Sequence, residues 1–291
     1  MKLLHLTIPL FAKMAVSLGL LVYLLHLLDW SQVGQLNPTS MLYILLGSTG
    51  TFFLLLFMAE RWRLILKTKT INPLTLGEAY RGYLIGVFFN HLLPGTIGGD
   101  VSRIERARRL SGLALTSSGT VVLIERAAGL TALALLFLVG LDMSESTYPV
   151  FHGVQVHRAA TAFGMLGIVV LWIIGVRRFG LSTPLGLAVL GLSLAAQGTD
   201  AAISFIILSH LETSAEPQWI LIAMPISIFV TLAPVSLGGL GLREGTLAGA
   251  LALFGVPTSI AVLFSLMIYL SKLPVGLFGG LQFMFDRQHR D

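Results

Sequence analysis

The chain has no cysteine at all, which excludes a disulfide framework and thiol chemistry. Charge is scarce too: only 11% of the 291 residues are Asp, Glu, Lys or Arg. No stretch has metal-ligand spacing, a phosphate-cradling nucleotide loop or a nucleophile elbow. The interruptions between apolar runs are short, which leaves no extramembrane domain to hold a soluble co-substrate. These absences argue against a conventional soluble enzyme, and no cofactor is expected.

Apolar residues fill the space instead. They make up 55% of the chain, and the mean hydropathy is +0.85. Long apolar runs recur at 14–28, 41–58, 113–141, 159–176, 185–208 and 259–285. A run of about 20 residues crosses the hydrocarbon core of a bilayer. Soluble helices carry a single apolar stripe, whereas these runs are apolar on all sides, and the short alternating segments of a β-barrel are missing. The sequence predicts an all-α polytopic membrane protein with about six full spans. The first run lacks a small-residue cleavage site and reads as a retained span rather than a signal peptide.

The net charge of +5 follows loop position, so no nucleic-acid partner is implied. Segment 61–81 holds Arg61, Arg63, Lys67, Lys69 and Arg81, and segment 103–109 holds Arg103, Arg106, Arg108 and Arg109. Arg177 and Arg178 mark another turn, and Arg287 and Arg290 lie in the tail. Segments 29–40 and 210–218 carry no Lys or Arg, and 142–158 carries only Arg158. The positive-inside rule places the basic segments and both termini in the cytoplasm. The expected location is the cytoplasmic membrane of a prokaryote.

Residues 82–99 are apolar yet have basic segments on both sides. A single crossing would put one flank on the wrong face, so a re-entrant hairpin broken at Pro94, Gly98 and Gly99 is expected. Residues 219–255 repeat the problem from the opposite face, where a hairpin or a tight pair of spans satisfies the charge rule. The two segments share wording: "PGTIGGDVSR" at 94–103 and "PVSLGGLGLR" at 234–243 align Pro94 with Pro234, Gly98-Gly99 with Gly238-Gly239, and Arg103 with Arg243. Each half, 1–141 and 142–291, then has three spans and one hairpin, and an odd span number inverts the second half. Interrupted segments at matching positions of two inverted halves point to a substrate site at their interface.

Glycines let a backbone approach a ligand closely, and an arginine beside a helix start favours an anion, most naturally a phosphate. Arg103 and Arg243 are the leading candidates. The competing readings are helix packing for the glycines and membership of the basic cluster for Arg103. Asp100 has Leu240 as its counterpart, so the two tips differ. Glu125, Arg126, Asp200 and Lys272 lie inside apolar runs, where each charge needs a partner or a function. Glu125 and Arg126 are sequence neighbours, point about 100° apart on a helix, and are expected to bond to other elements. His91 reads as a structural histidine.

"FFNHLLPGTIGGDVSR", "LIERAAGL" and "PVSLGGLGLREG" together resemble the lysylphosphatidylglycerol synthetase-type transmembrane family, which includes the flippase half of the multiple peptide resistance factor. The resemblance covers roughly residues 10–285. It implies a lipid translocase for an anionic or amino-acylated lipid, not an enzyme. Its motif positions fall on Asn90, Pro94, Gly98, Gly99, Asp100, Arg103, Glu125, Arg126, Pro234, Gly238, Gly239, Arg243 and Glu244. Because the chain ends just after the last apolar run, the expectation is a standalone member without the aminoacyl-transferase half. Expected partners are a membrane lipid and either a second copy or a lipid-modifying enzyme. The alternative is a membrane enzyme, or an enzyme's partner, in glycolipid, lipid-linked sugar or isoprenoid/hopanoid metabolism.

Overall fold

A computed structural model describes residues 10–28, 38–92, 97–144, 158–212, 214–231 and 241–288, which form helices joined by short connections. In chain order the helices are α1 (Leu10–Leu27), α2 (Pro38–Leu66), α3 (Leu76–Leu92), α4 (Ile97–Ser111) and α5 (Leu115–Met143), followed by α6 (Arg158–Arg178), α7 (Thr183–Leu211), α8 (Pro217–Thr231), α9 (Leu242–Ala252) and α10 (Thr258–Gln288). Five of them, α2, α5, α6, α7 and α10, are long and apolar enough to cross a membrane. The expected sixth span, α1, is a shorter apolar helix over Ala15–Leu27. The chain is a polytopic all-α membrane protein.

Local chemistry sets the helix limits. Thr75 and Glu78 form a reciprocal cap at the start of α3: Thr75 Oγ1 accepts the Glu78 N–H at 3.2 Å, and Glu78 Oε2 accepts the Thr75 N–H at 2.7 Å. Gly112, Gly180 and Gly255 follow α4, α6 and α9 with positive φ, the conformation that ends a helix most cheaply on glycine.

Helix α4 was not foreseen as a helix beyond its first residues; its charges read as a loop. It is amphipathic. Gly99, Arg103, Ala107 and Ser111 recur every four residues and are buried, whereas Arg108 and Arg109 are exposed. The first hairpin is therefore longer than 82–99 and carries Arg103 inward. Arg61, which also read as a loop charge, lies within α2 and is only 4% exposed. The apolar stripe of Trp62, Ile65 and Leu66 extends the helix past it and buries that end.

The long helices α2 and α7 pack side by side through the centre. Glycines set their approach: a Cβ on Gly50 would fall 2.2 Å from the Ile203 side chain, and small residues allow such contact between membrane helices. Ser40 Oγ lies 3.1 Å from His210 Nε2, so the start of α2 meets the end of α7. At the other end of the bundle Lys69 donates to the Phe179 carbonyl at 2.8 Å, and Thr70 Oγ1 to the Ser111 carbonyl at 3.1 Å. The α3–α4 hairpin thus starts and finishes at one end of the α2–α7 pair. The α8–α9 pair follows the opposite end of α7 and starts and finishes together there, with the Trp219 and Phe254 rings stacked at 6.0 Å. The two helical pairs are rooted at opposite ends.

Each pair has its own apolar core. Trp62, Tyr83, Val121 and Val189 belong to the core around α3, and Trp219, Leu251, Phe264 and Met267 to the core around α8 and α9. Exchanging α1–α5 for α6–α10 carries most neighbours onto neighbours. The α3–α10 contact corresponds to α8–α5, α4–α5 to α9–α10, and α2–α10 to α7–α5, while α2–α7 maps to itself.

Candidate functional site

Arg61 and Arg103, from different helices, converge on Glu125. This carboxylate is 1% exposed. Its Oε1 accepts the Tyr83 hydroxyl at 2.5 Å and lies 3.4 Å from Arg61 Nε, and its Oε2 accepts Arg103 Nη1 at 2.6 Å. Tyr83 also accepts Arg103 Nη1 at 2.6 Å and Arg61 Nη2 at 3.3 Å. The Arg103 guanidinium lies over the Tyr83 ring, 4.4 Å from its centroid, a favourable cation–π placement. Arg61 completes its set on Ser193 Oγ at 3.0 Å. Four helices therefore meet through one carboxylate, and every hydrogen bond in the set is charge-assisted or bridges two that are.

Asp100 forms the second node. Its Oδ1 accepts Arg103 Nη2 at 2.6 Å and its Oδ2 accepts Arg126 Nε at 2.5 Å. The N-terminal half of α4 is thereby clamped to α5. Among the described residues of this cluster, Arg61, Arg103 and Arg126 against Asp100 and Glu125 leave one positive charge in excess. Arg126 is the most open of the three, with 32% of its side chain exposed.

Beside this network is a cavity of about 310 Å³. The first half contributes Asn90, Gly99, Asp100 and Arg126 to its lining; the second half contributes Gln197 of α7 and Thr231 of α8. Apolar residues such as Leu55, Met58, Leu130 and Ile228 complete the wall. The cavity is amphipathic and lies where the two halves meet.

The Gly99 N–H donates to Asn90 Oδ1 at 2.7 Å. A Cβ on Gly99 would fall 2.8 Å from the Gly86 carbonyl oxygen, so glycine here lets α3 and α4 cross closely. Gly98 is buried and faces a different cleft, between α4 and α10. Pro94, Pro234, Gly238 and Gly239 lie outside the described residues.

The remaining candidates gather in the second half. Lys272 Nζ donates to both oxygens of Asp200, at 2.9 and 3.1 Å, joining α10 to α7. In the first half the corresponding helices, α5 and α2, are joined by Glu125 and Arg61. The same helix pairing is held by an ion pair of reversed sense. Glu244 is 4% exposed and its Oε2 accepts the Gly241 N–H at 2.7 Å, capping α9. Arg243 is half-buried and within charge–charge range of Asp200, Lys272, Glu244 and His91. Among the described residues it makes no hydrogen bond or ion pair. His91 hydrogen-bonds through Nδ1 to the Val87 carbonyl at 2.8 Å.

Sequence reasoning missed Arg61, Tyr83 and Asn90's partner. Arg61 was hidden by its company of loop arginines. Nothing in the residues around Tyr83 marks a tyrosine that bridges two arginines and a carboxylate.

Five helices long and apolar enough to cross a membrane, packed around an amphipathic cavity with buried charges, define the class as an integral membrane protein. The family comparison is more specific. The model of the lysylphosphatidylglycerol synthase TM region matches residues 10–183 and 178–279, and the chain belongs to that family. No curated protein matches it.

Proposed function

We propose that this protein moves a polar-headed lipid, bearing a phosphate, between the leaflets of the cytoplasmic membrane of a prokaryote. The reading rests above all on the cavity of about 310 Å³, which both halves line and which sits beside a cluster with one excess positive charge. A headgroup can exchange its hydration for Arg126, Asn90, Gln197 and Thr231 there while its acyl chains remain in the bilayer. The excess charge favours an anionic headgroup.

Helices α3 and α4 have 17 and 15 residues, or about 25 and 22 Å at 1.5 Å per residue. Both fall short of a hydrocarbon core of about 30 Å. This length supports a re-entrant hairpin whose tip ends inside the membrane, with its mate entering from the other face. Of the two repeated arginines, Arg103 is committed to Tyr83, Glu125 and Asp100; Arg243 lies outside the lining of this cavity and is assigned a second contact with the phosphate along its path. Basic segments at the α2, α4 and α6 ends support a cytoplasmic side for both termini.

The test is translocation of fluorescent phosphatidylglycerol and its lysylated form in vesicles containing the purified protein, read by quenching of the outer leaflet. Faster equilibration than in protein-free vesicles is expected for at least one of them. Identical rates with and without protein, for both lipids, would reject the proposal.

A further inference from the structure

A second cleft lies outside the cavity just described, on the other side of the first hairpin. It has a volume of about 240 Å³ and is bounded by α3, α4 and α10. Its inner end is apolar, formed by Ile85, Phe89, Val101 and Phe283. Its outer end holds Arg106, Arg109, Glu105 and Asp286, and an adjoining cleft of about 630 Å³, which shares Arg106, Leu110 and Asp286 with it, adds Arg81. Polarity therefore rises along α4 from the hairpin tip toward the basic end of the bundle.

The surroundings indicate what fills it. Val101, Leu110, Leu281 and Phe285 flank the cleft and are 56%, 44%, 52% and 57% exposed. On a membrane protein such a border faces acyl chains, so the cleft opens sideways into lipid. Among the described residues the lining at the outer end is balanced, Arg81, Arg106 and Arg109 against Glu78, Glu105 and Asp286; Arg108, just outside it, also pairs with Glu105 and brings the cluster an excess of one positive charge. Arg81 and Arg109 are 50% and 52% exposed, and their ion pairs engage Nη1 of Arg81 and Nε of Arg109. A guanidinium carries five donors, so each retains capacity for a phosphate.

We infer that this cleft is a binding site for one anionic phospholipid, with an acyl chain along Phe89, Val101 and Phe283 and the phosphate at Arg109 and Arg81. A soluble ligand does not fit a cleft with apolar flanks, and a lipid without a phosphate leaves the spare donors of Arg81 and Arg109 unused. Basic pockets between membrane helices on the cytoplasmic side recruit anionic headgroups in this way. The inference does not depend on translocation through the central cavity: a protein that moves no lipid can still hold one here.

Photolabelling tests it. The protein, in vesicles of phosphatidylcholine, is exposed to a trace of phosphatidylglycerol with a diazirine on its acyl chain, and labelled peptides are mapped. Labelling of the segments around Phe89, Val101 and Phe283 should be displaced by excess plain phosphatidylglycerol and not by added phosphatidylcholine. Labelling of the lipid-facing Leu166 and Leu171 on α6, which are 60% and 70% exposed, should resist both and serves as internal reference. Arg109→Gln should weaken the competition about fivefold, the worth of one arginine near an anionic surface. Val101→Trp, at an exposed position, should abolish displaceable labelling in the cleft while the reference labelling persists. Cleft labelling that no competitor displaces, equal displacement by both lipids, or unchanged competition in both variants would overturn the inference.

Discussion

Arg103 and Arg243 stand at the same place in a repeated motif and have opposite surroundings. Arg103 is 7% exposed and bonded to Tyr83, Glu125 and Asp100. Arg243 has no ion pair among the described residues. In the sequence, Asp100 of the first copy aligns with Leu240 of the second. Arg243 instead lies within charge–charge range of Asp200 and Glu244.

The two arginines should therefore respond differently to replacement. Arg103→Ala strands Glu125 and Asp100 without a shared partner and should cost about 3–5 kcal/mol, seen as early melting or poor expression. Arg243→Lys should leave melting within about 1 kcal/mol of wild type yet slow translocation of a phosphate-bearing lipid, because lysine lacks the bidentate fork. Purified, monodisperse variants in the vesicle assay provide the measurement. Wild-type transport by Arg243→Ala would remove this arginine from the site.

Glu125 serves assembly in this structure. Glu125→Gln should leave Arg61 and Arg103 short of a counter-charge at a buried site, with a loss of about 3–5 kcal/mol. Tyr83→Phe should cost less, about 1–3 kcal/mol, by removing one bridging hydroxyl. Thermal unfolding in detergent, followed by tryptophan fluorescence, distinguishes them. A Glu125→Gln protein that melts with wild type but fails in transport would make Glu125 a substrate or proton group.

The Asp200–Lys272 pair can be examined by a double-mutant cycle. Asp200→Asn and Lys272→Met should each destabilise, by about 3–5 kcal/mol. The combined variant should recover much of that loss, since a buried pair replaced on both sides is often nearly neutral. Strict additivity of the two single losses would show that the contact carries no coupling.

Topology can be checked by single cysteines, which this cysteine-free chain accepts without background. Cysteines at 69 and 109 should label from the same side and one at 214 from the opposite side. The contacts Lys69–Phe179 and Thr70–Ser111 tie the first two positions to one end of the bundle. Labelling of 69 and 109 from opposite faces would turn the α3–α4 hairpin into an odd number of crossings.

The long apolar helices were legible because hydrophobic length is a local property of the sequence. The pairing of the charges was not, because it depends on which helices become neighbours. Arg61 and Glu125 are 64 residues apart, and Asp200 and Lys272 are 72 apart. Helix α4 illustrates the same limit at short range. Its four-residue stripe of Gly99, Arg103, Ala107 and Ser111 contains an arginine, so it does not read as a buried face until acceptors on α3 and α5 are in place. Asn90 and Gly99 were singled out as motif residues, but their role as a mutual hydrogen bond became visible only when α3 met α4.

The order of synthesis gives these ion pairs another meaning. Arg61 leaves the ribosome well before Glu125, and Asp200 well before Lys272. In each half a charge enters the membrane first and its neutralising partner comes on the last helix of that half. A lone charge at mid-bilayer costs on the order of 3 kcal/mol on insertion scales. Helix α7, which carries Asp200 well inside its apolar length, should insert more readily when α10 follows with its lysine. A nascent chain interrupted after α9 carries Asp200 without its lysine, which marks the fragment as unfinished to any quality-control factor that senses exposed charge in the lipid phase.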